Sequence, residues 1–206
     1  MKRRRDRSTV EPVAELLSEA DVDRRVSGGG TVMTEPVVVV RGRHQDDFEL
    51  LDQDGRLLGS AVRVGGMRSL DAARAYEVRD AHDRCVLNVH QAGPSSEVWG
   101  LTKWHYEVVL PGGSGAITVQ KASPEPASIS EGSRRIGTMR NGPTHAFMIE
   151  DHTGRQVARI HIGRTRFFSE HVELIAETED GTSLPLRSVA LAAILIADRE
   201  LIQFAH

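Results

Sequence analysis

A chain of 206 residues with 39% hydrophobic and 27% charged side chains has a globular balance and suits one large domain or two small ones. Its formal net charge of −3 argues against a general nucleic-acid binder, which carries a basic excess. The single cysteine, Cys85, excludes an internal disulfide framework and a cysteine-based zinc centre, and it fits a reducing compartment.

Residues 1–35 read as a flexible tail. Lys2, Arg3, Arg4 and Arg5 open it, but Glu11, Glu15 and Glu19 follow where an export signal needs an apolar stretch. A cytoplasmic location is therefore expected. Val13, Leu16 and Leu17 at helical spacing behind Pro12 predict a short helix over residues 11–20, and Gly28-Gly29-Gly30 predicts a joint.

Residues 36–206 read as one domain. The β-branched run Val37-Val38-Val39-Val40 predicts a strand, and a unit then recurs along the chain. Its copies are Phe48-Glu49-Leu50-Leu51-Asp52-Gln53-Asp54-Gly55-Arg56, Tyr76-Glu77-Val78-Arg79-Asp80-Ala81-His82-Asp83-Arg84 and Phe147-Met148-Ile149-Glu150-Asp151-His152-Thr153-Gly154-Arg155. Tyr106-Glu107-Val108 running into Gly112-Gly113 is a worn fourth. Each unit predicts a hairpin. The aromatic and the aliphatic residue two places on share one strand face, because side chains alternate with period two. The Asp bonds backbone N–H groups ahead of it, and Gly or Asp supplies the left-handed position. The repeated Asp and Arg are thus turn chemistry rather than catalytic groups.

Loops are expected at residues 65–69, 92–96 and 122–132, with further strands at 136–139 and 167–178. That makes ten to twelve strands, a number that points to an all-β sandwich or barrel. The chain then turns helical from Leu186 to Phe204, and residues 189–197 are apolar at every position. A helix that is apolar all round is enclosed or spans a membrane. Arg187 before the run and Asp198-Arg199-Glu200 after it leave the apolar stretch short of the roughly 20 residues a span needs. No transmembrane span is expected. The fold expected is mainly β with one helix: a closed antiparallel barrel of about 12 strands around the C-terminal hydrophobic helix.

Catalytic motifs are sparse. Gly112-Gly113-Ser114-Gly115-Ala116 comes near a nucleophile elbow but has Ala116 where Gly is required, and a strand follows it. The same glycines lack the following helix of a phosphate or dinucleotide loop. His90, His105, His145 and His161 fall on or beside predicted strands without paired metal-ligand spacing. No enzyme activity, cofactor or metal is expected. Arg134, Arg135, Arg140, Arg155, Arg164 and Arg166 fall within one stretch of the barrel wall, and the guanidinium suits bidentate phosphate recognition. Glu131 and Asp151 stand among them as neutralising neighbours.

The chain over residues 37–204 resembles the tubby C-terminal-like superfamily, and within it the phospholipid scramblase and LURP-one-related branch. The resemblance is carried by the units at Phe48, Tyr76 and Phe147, by Arg135-Ile136-Gly137-Thr138, and by the apolar ending that closes on Asp198. It implies a twelve-stranded barrel around a central helix and an association with phospholipid membranes or phosphoinositides. With it, the six arginines read from the sequence become candidate headgroup ligands, and peripheral binding of anionic phospholipid at the inner membrane face is expected. The chain departs from the animal scramblases in lacking their cysteine cluster and proline-rich head. Glu173, Glu177, Glu179 and Asp180 do not make the alternating acidic loop of a calcium site, so lipid scrambling does not transfer. The competing expectation is a soluble small-ligand-binding or enzymatic barrel with a pocket at one mouth.

Overall fold

The computed structural model describes residues 31–42, 47–64, 75–91, 96–98, 101–113, 115–121, 126–142, 147–163 and 173–203. The tail to residue 30, with its helix at 11–20, lies outside them. In chain order the strands are β1 (Val37–Gly42), β2 (Phe48–Leu51), β3 (Leu57–Arg63), β4 (Ala75–Asp80) and β5 (Cys85–Gln91). Next come β6 (Ser96–Val98), β7 (Leu101–Val109), β8 (Ala116–Lys121), β9 (Ala127–Glu131) and β10 (Arg134–Asn141). Last are β11 (Phe147–Asp151), β12 (Gln156–Ile162) and β13 (Glu173–Thr178), followed by the helix α1 (Leu184–Gln203).

The strands pair antiparallel in the order β5-β4-β3-β2-β1-β13-β12-β11-β10-β9-β8-β7, and β5 pairs with β7 to close the ring. Closure removes the free edges that an open sheet would expose. β6 stands outside the ring and, among the described residues, pairs only with the start of β7, Ser96 opposite Lys103 and Val98 opposite Leu101.

The recurring unit builds the wall as its period demands. Phe48 and Leu50, Tyr76 and Val78, Tyr106 and Val108, and Phe147 and Ile149 all face the interior and are buried. The Asp two places further on takes up the hairpin turn. Asp52 Oδ1 accepts the N–H groups of Asp54 and Arg56 at 2.9 and 2.8 Å, and Asp80 Oδ1 those of His82 and Arg84 at 2.9 and 3.0 Å. Asp151 repeats the pattern with Thr153 and Arg155 at 2.8 and 3.2 Å. In all three the residue three places after the Asp is left-handed: Gly55 at φ 80°, Asp83 at 61° and Gly154 at 83°. Each turn is followed by the same register shift, one extra residue on the return strand: Leu58, Val86 and Val157.

These turns share one end of the barrel. The registers place the β2–β3, β4–β5, β7–β8, β9–β10 and β11–β12 connections there, together with the loop from β13 into α1. The helix enters from this turn end. Leu186, Val189, Ala190, Leu191, Ala192, Ala193, Ile194 and Leu195 are all buried. It touches β12 and β5, which lie six places apart in the ring of twelve, so it runs along the barrel axis. Among the described residues no helix is long and apolar enough to cross a membrane.

Three boundaries differ from the sequence reading, the first being the loop expected at 122–132, of which Ala127–Glu131 form β9. The helix starts at Leu184 rather than Leu186, because Pro185 in its first turn needs no N–H partner. Residues 31–35, expected in the tail, are packed: Val32 is buried in the core, and the Arg187 guanidinium donates to the carbonyls of Thr34 and Glu35, both at 3.3 Å. Arg187 also reaches the carbonyls of Thr182 and Glu179 at 3.2 and 3.4 Å, so one side chain ties the start of the barrel to the start of the helix. The expected strand at 167–178 is described from Glu173.

Candidate functional site

At the turn end a pocket of about 620 Å³ opens between the β9–β10 turn, the β11–β12 turn and the loop entering α1. Its size falls within the range of small-molecule sites, about 300–1,000 Å³. Ile136, Val157 and Leu186, all buried, form an apolar floor with Pro185, and Arg134, Arg135, Arg155, Glu131, Asp151, His152 and Asp180 stand round the rim.

Local chemistry fixes each wall. Gly132, at φ 58°, is the first residue of a two-residue turn between Glu131 and Arg134, where a positive φ is required. That turn sets Arg134 and Arg135 at the first two positions of β10. The Asp151 turn sets Arg155 opposite them. Glu179 to Ser183 closes the third side: the Thr182 hydroxyl lies 3.0 Å from the Val157 carbonyl and 2.6 Å from that of Glu179, and the Ser183 carbonyl accepts the Arg187 N–H at 3.0 Å. The amino end of α1, with no acidic residue in its first turn, therefore points its partial positive charge toward the pocket.

Beneath the rim, Gly137 is a steric requirement. A Cβ there would run into the Glu150 carbonyl oxygen and crowd Leu186 at 3.1 Å. Only glycine lets β10 lie this close to both β11 and the helix.

The rim charges do not all remain available. Glu131 pairs with Arg134 at 3.1 Å. Asp151 is engaged by its turn; the Thr153 hydroxyl, 2.6 Å away, together with the Thr153 and Arg155 N–H groups holds its carboxyl below the usual range in spite of partial desolvation. Arg135 and Arg155 form no ion pair among the described residues and are exposed. Two guanidiniums without an ion pair, Arg135 and Arg155, thus share the rim with two carboxylates, Asp180 and Asp151, the latter kept ionised by its turn.

Of the six arginines read from the sequence, three reach the pocket: Arg134, Arg135 and Arg155. Arg140 sits five residues up β10 from Arg135, about 17 Å along the strand, and pairs with Glu150 at 2.5 Å. Arg164 and Arg166 lie outside the described residues. Sequence reasoning missed the loop of residues 180–183 and the start of the helix; Ser183 ahead of Pro185 was the available signal for a helix start at the wall.

The histidines do not converge. His90, His105 and His161 alternate with the inward Val89, Tyr106 and Ile160, and so lie on the outer face. His145 is outside the described residues. No group of three metal-ligating side chains occurs among the described residues. Comparison of the chain with protein-family models, curated proteins and solved structures gives no match.

Proposed function

We propose that this protein is a non-enzymatic barrel of the LURP-one-related and scramblase-like kind, which binds anionic phospholipid peripherally at the inner face of a membrane. The observation that carries the reading is the convergence of Arg135 and Arg155, free of ion pairs among the described residues, at a pocket on the turn end. Arg matches the planar, charge-dense oxygens of a phosphate, and two guanidiniums hold such a group better than one. Leu184, 48% exposed at the start of the helix, offers an apolar contact on the same end. The barrel with its axial helix has the architecture that the resemblance implies.

The test is sedimentation with vesicles. Vesicles containing anionic phospholipid should carry the protein down at low salt, and purely neutral vesicles should not. Raised salt should release it, because the contact is electrostatic and exposed. Equal sedimentation with the two vesicle types overturns the proposal.

A second reading is a soluble ligand-binding or enzymatic barrel. The pocket's size and apolar floor favour it. Binding of a water-soluble ligand in the absence of any vesicle binding would select it.

A further inference from the structure

A headgroup alone needs cations but no apolar floor. The pocket has both: Ile136, Val157, Pro185 and Leu186 beneath, and Arg135 and Arg155 at the edge. We infer that its ligand is a single amphipathic anion, a phosphate or phosphate monoester bearing an alkyl chain, taken up with the phosphate on the arginines and the first part of the chain against the floor. The inference rests on the reading of the pocket as an anion site and names what fills the rest of it.

Three features support this occupant over others. The floor side chains belong to β10, β12 and α1 and are packed into the core behind them, so the apolar surface is fixed rather than formed on binding. Arg135 and Arg155 form no ion pair among the described residues; the rim as a whole is balanced, Arg134, Arg135 and Arg155 against Glu131, Asp151 and Asp180, so the attraction for an anion is local to these two guanidiniums. The two guanidiniums stand on facing walls at the mouth, Arg135 at the start of β10 and Arg155 on the β11–β12 turn, above the apolar floor, while Arg134 is held by Glu131. A ligand charged at both ends, or neutral throughout, leaves one of these two surfaces without its complement.

The experiment uses the full chain, alkyl phosphates of four, six and eight carbons below their micelle concentrations, and inorganic phosphate, with isothermal titration as the readout. Each methylene buried on the floor should tighten binding about three- to fourfold. Inorganic phosphate should bind at least tenfold more weakly than octyl phosphate, and octanol should not bind measurably. Arg135→Ala and Arg155→Ala, both at exposed positions, should each weaken octyl phosphate about tenfold, while Arg140→Ala leaves it unchanged. Affinity that is independent of chain length overturns the inference and leaves the headgroup reading standing. Vesicle binding without any alkyl phosphate binding does the same. If neither vesicles nor alkyl phosphates bind, both readings fail together.

Discussion

At Gly137 the residue is chosen by its neighbours rather than by its own strand. The sequence made the Ile136-Gly137 pair visible as a pattern, but its cause lies in the Glu150 carbonyl and in Leu186, nearly fifty residues on. No local reading contains that. Gly137→Ala should lower stability by about 1–3 kcal/mol, the usual penalty for an overpacked site. Gly42→Ala, where nothing lies within 4 Å of the added methyl group, should cost far less. Thermal melts of the two variants check this, and equal losses would contradict it. The turn aspartates are the opposite case, legible because their partners are two and four residues away. Burial pushes the Asp80 carboxyl up, but the Arg84 guanidinium and the N–H groups of Arg84 and His82 outweigh it and leave it below the ordinary range. A carboxyl lowered in the folded state contributes stability above its unfolded pKa, near 3.9, and loses that stability as pH falls through the folded value. Urea melts between pH 6 and pH 3 should therefore show a steep loss below about pH 4. Asp80→Asn should start lower at pH 6 and fall less steeply; parallel curves would show that Asp80 is not responsible.

At the scale of elements, the helix was the most legible part of the chain because residues 189–197 leave no polar face to interpret. Its amino end was not, since Pro185 reads as a breaker until the first-turn exception is considered. Burying a Val, Leu or Ile contributes about 1.5–3 kcal/mol. Val189, Leu191, Ile194 and Leu195 together therefore represent an amount comparable with the net stability of a whole domain, about 5–15 kcal/mol. Leu195→Ala should cost about 2–5 kcal/mol in a chemical denaturation series. Ile194→Asp, and truncation before Ser188, should leave an unfolded or insoluble chain by circular dichroism and gel filtration. A truncated barrel that stays monodisperse and melts cooperatively would mean that the helix is dispensable to the core. The hairpins were legible for the same reason as the helix: period-two burial of an aromatic and an aliphatic residue needs no long-range information. The closure of the ring through β5 and β7 was not written in any single segment, because β6 lies between them in the chain and pairs elsewhere.

For the whole molecule, the arrangement of interest is polarity. Among the described residues every tight turn, the entry of the helix and the packed segment at residues 31–35 gather at one end, and the pocket lies among them. Proximity in sequence suggested one basic patch of six arginines. The registers instead separate Arg140 from Arg134 and Arg135 by the length of β10, so strand direction, not spacing, decides membership of the site. The central claim is that this turn end faces the lipid. The direct measurement places an environment-sensitive fluorophore at either end, through His152→Cys on the β11–β12 turn or Val64→Cys beyond the far end of β3, each in a Cys85→Ser background. On adding vesicles with anionic phospholipid, the probe at position 152 should shift to the blue and become open to a lipid-borne quencher, while the probe at position 64 stays as in water. A shift at position 64 with none at 152, or no shift at either while the protein sediments with the vesicles, would contradict the account.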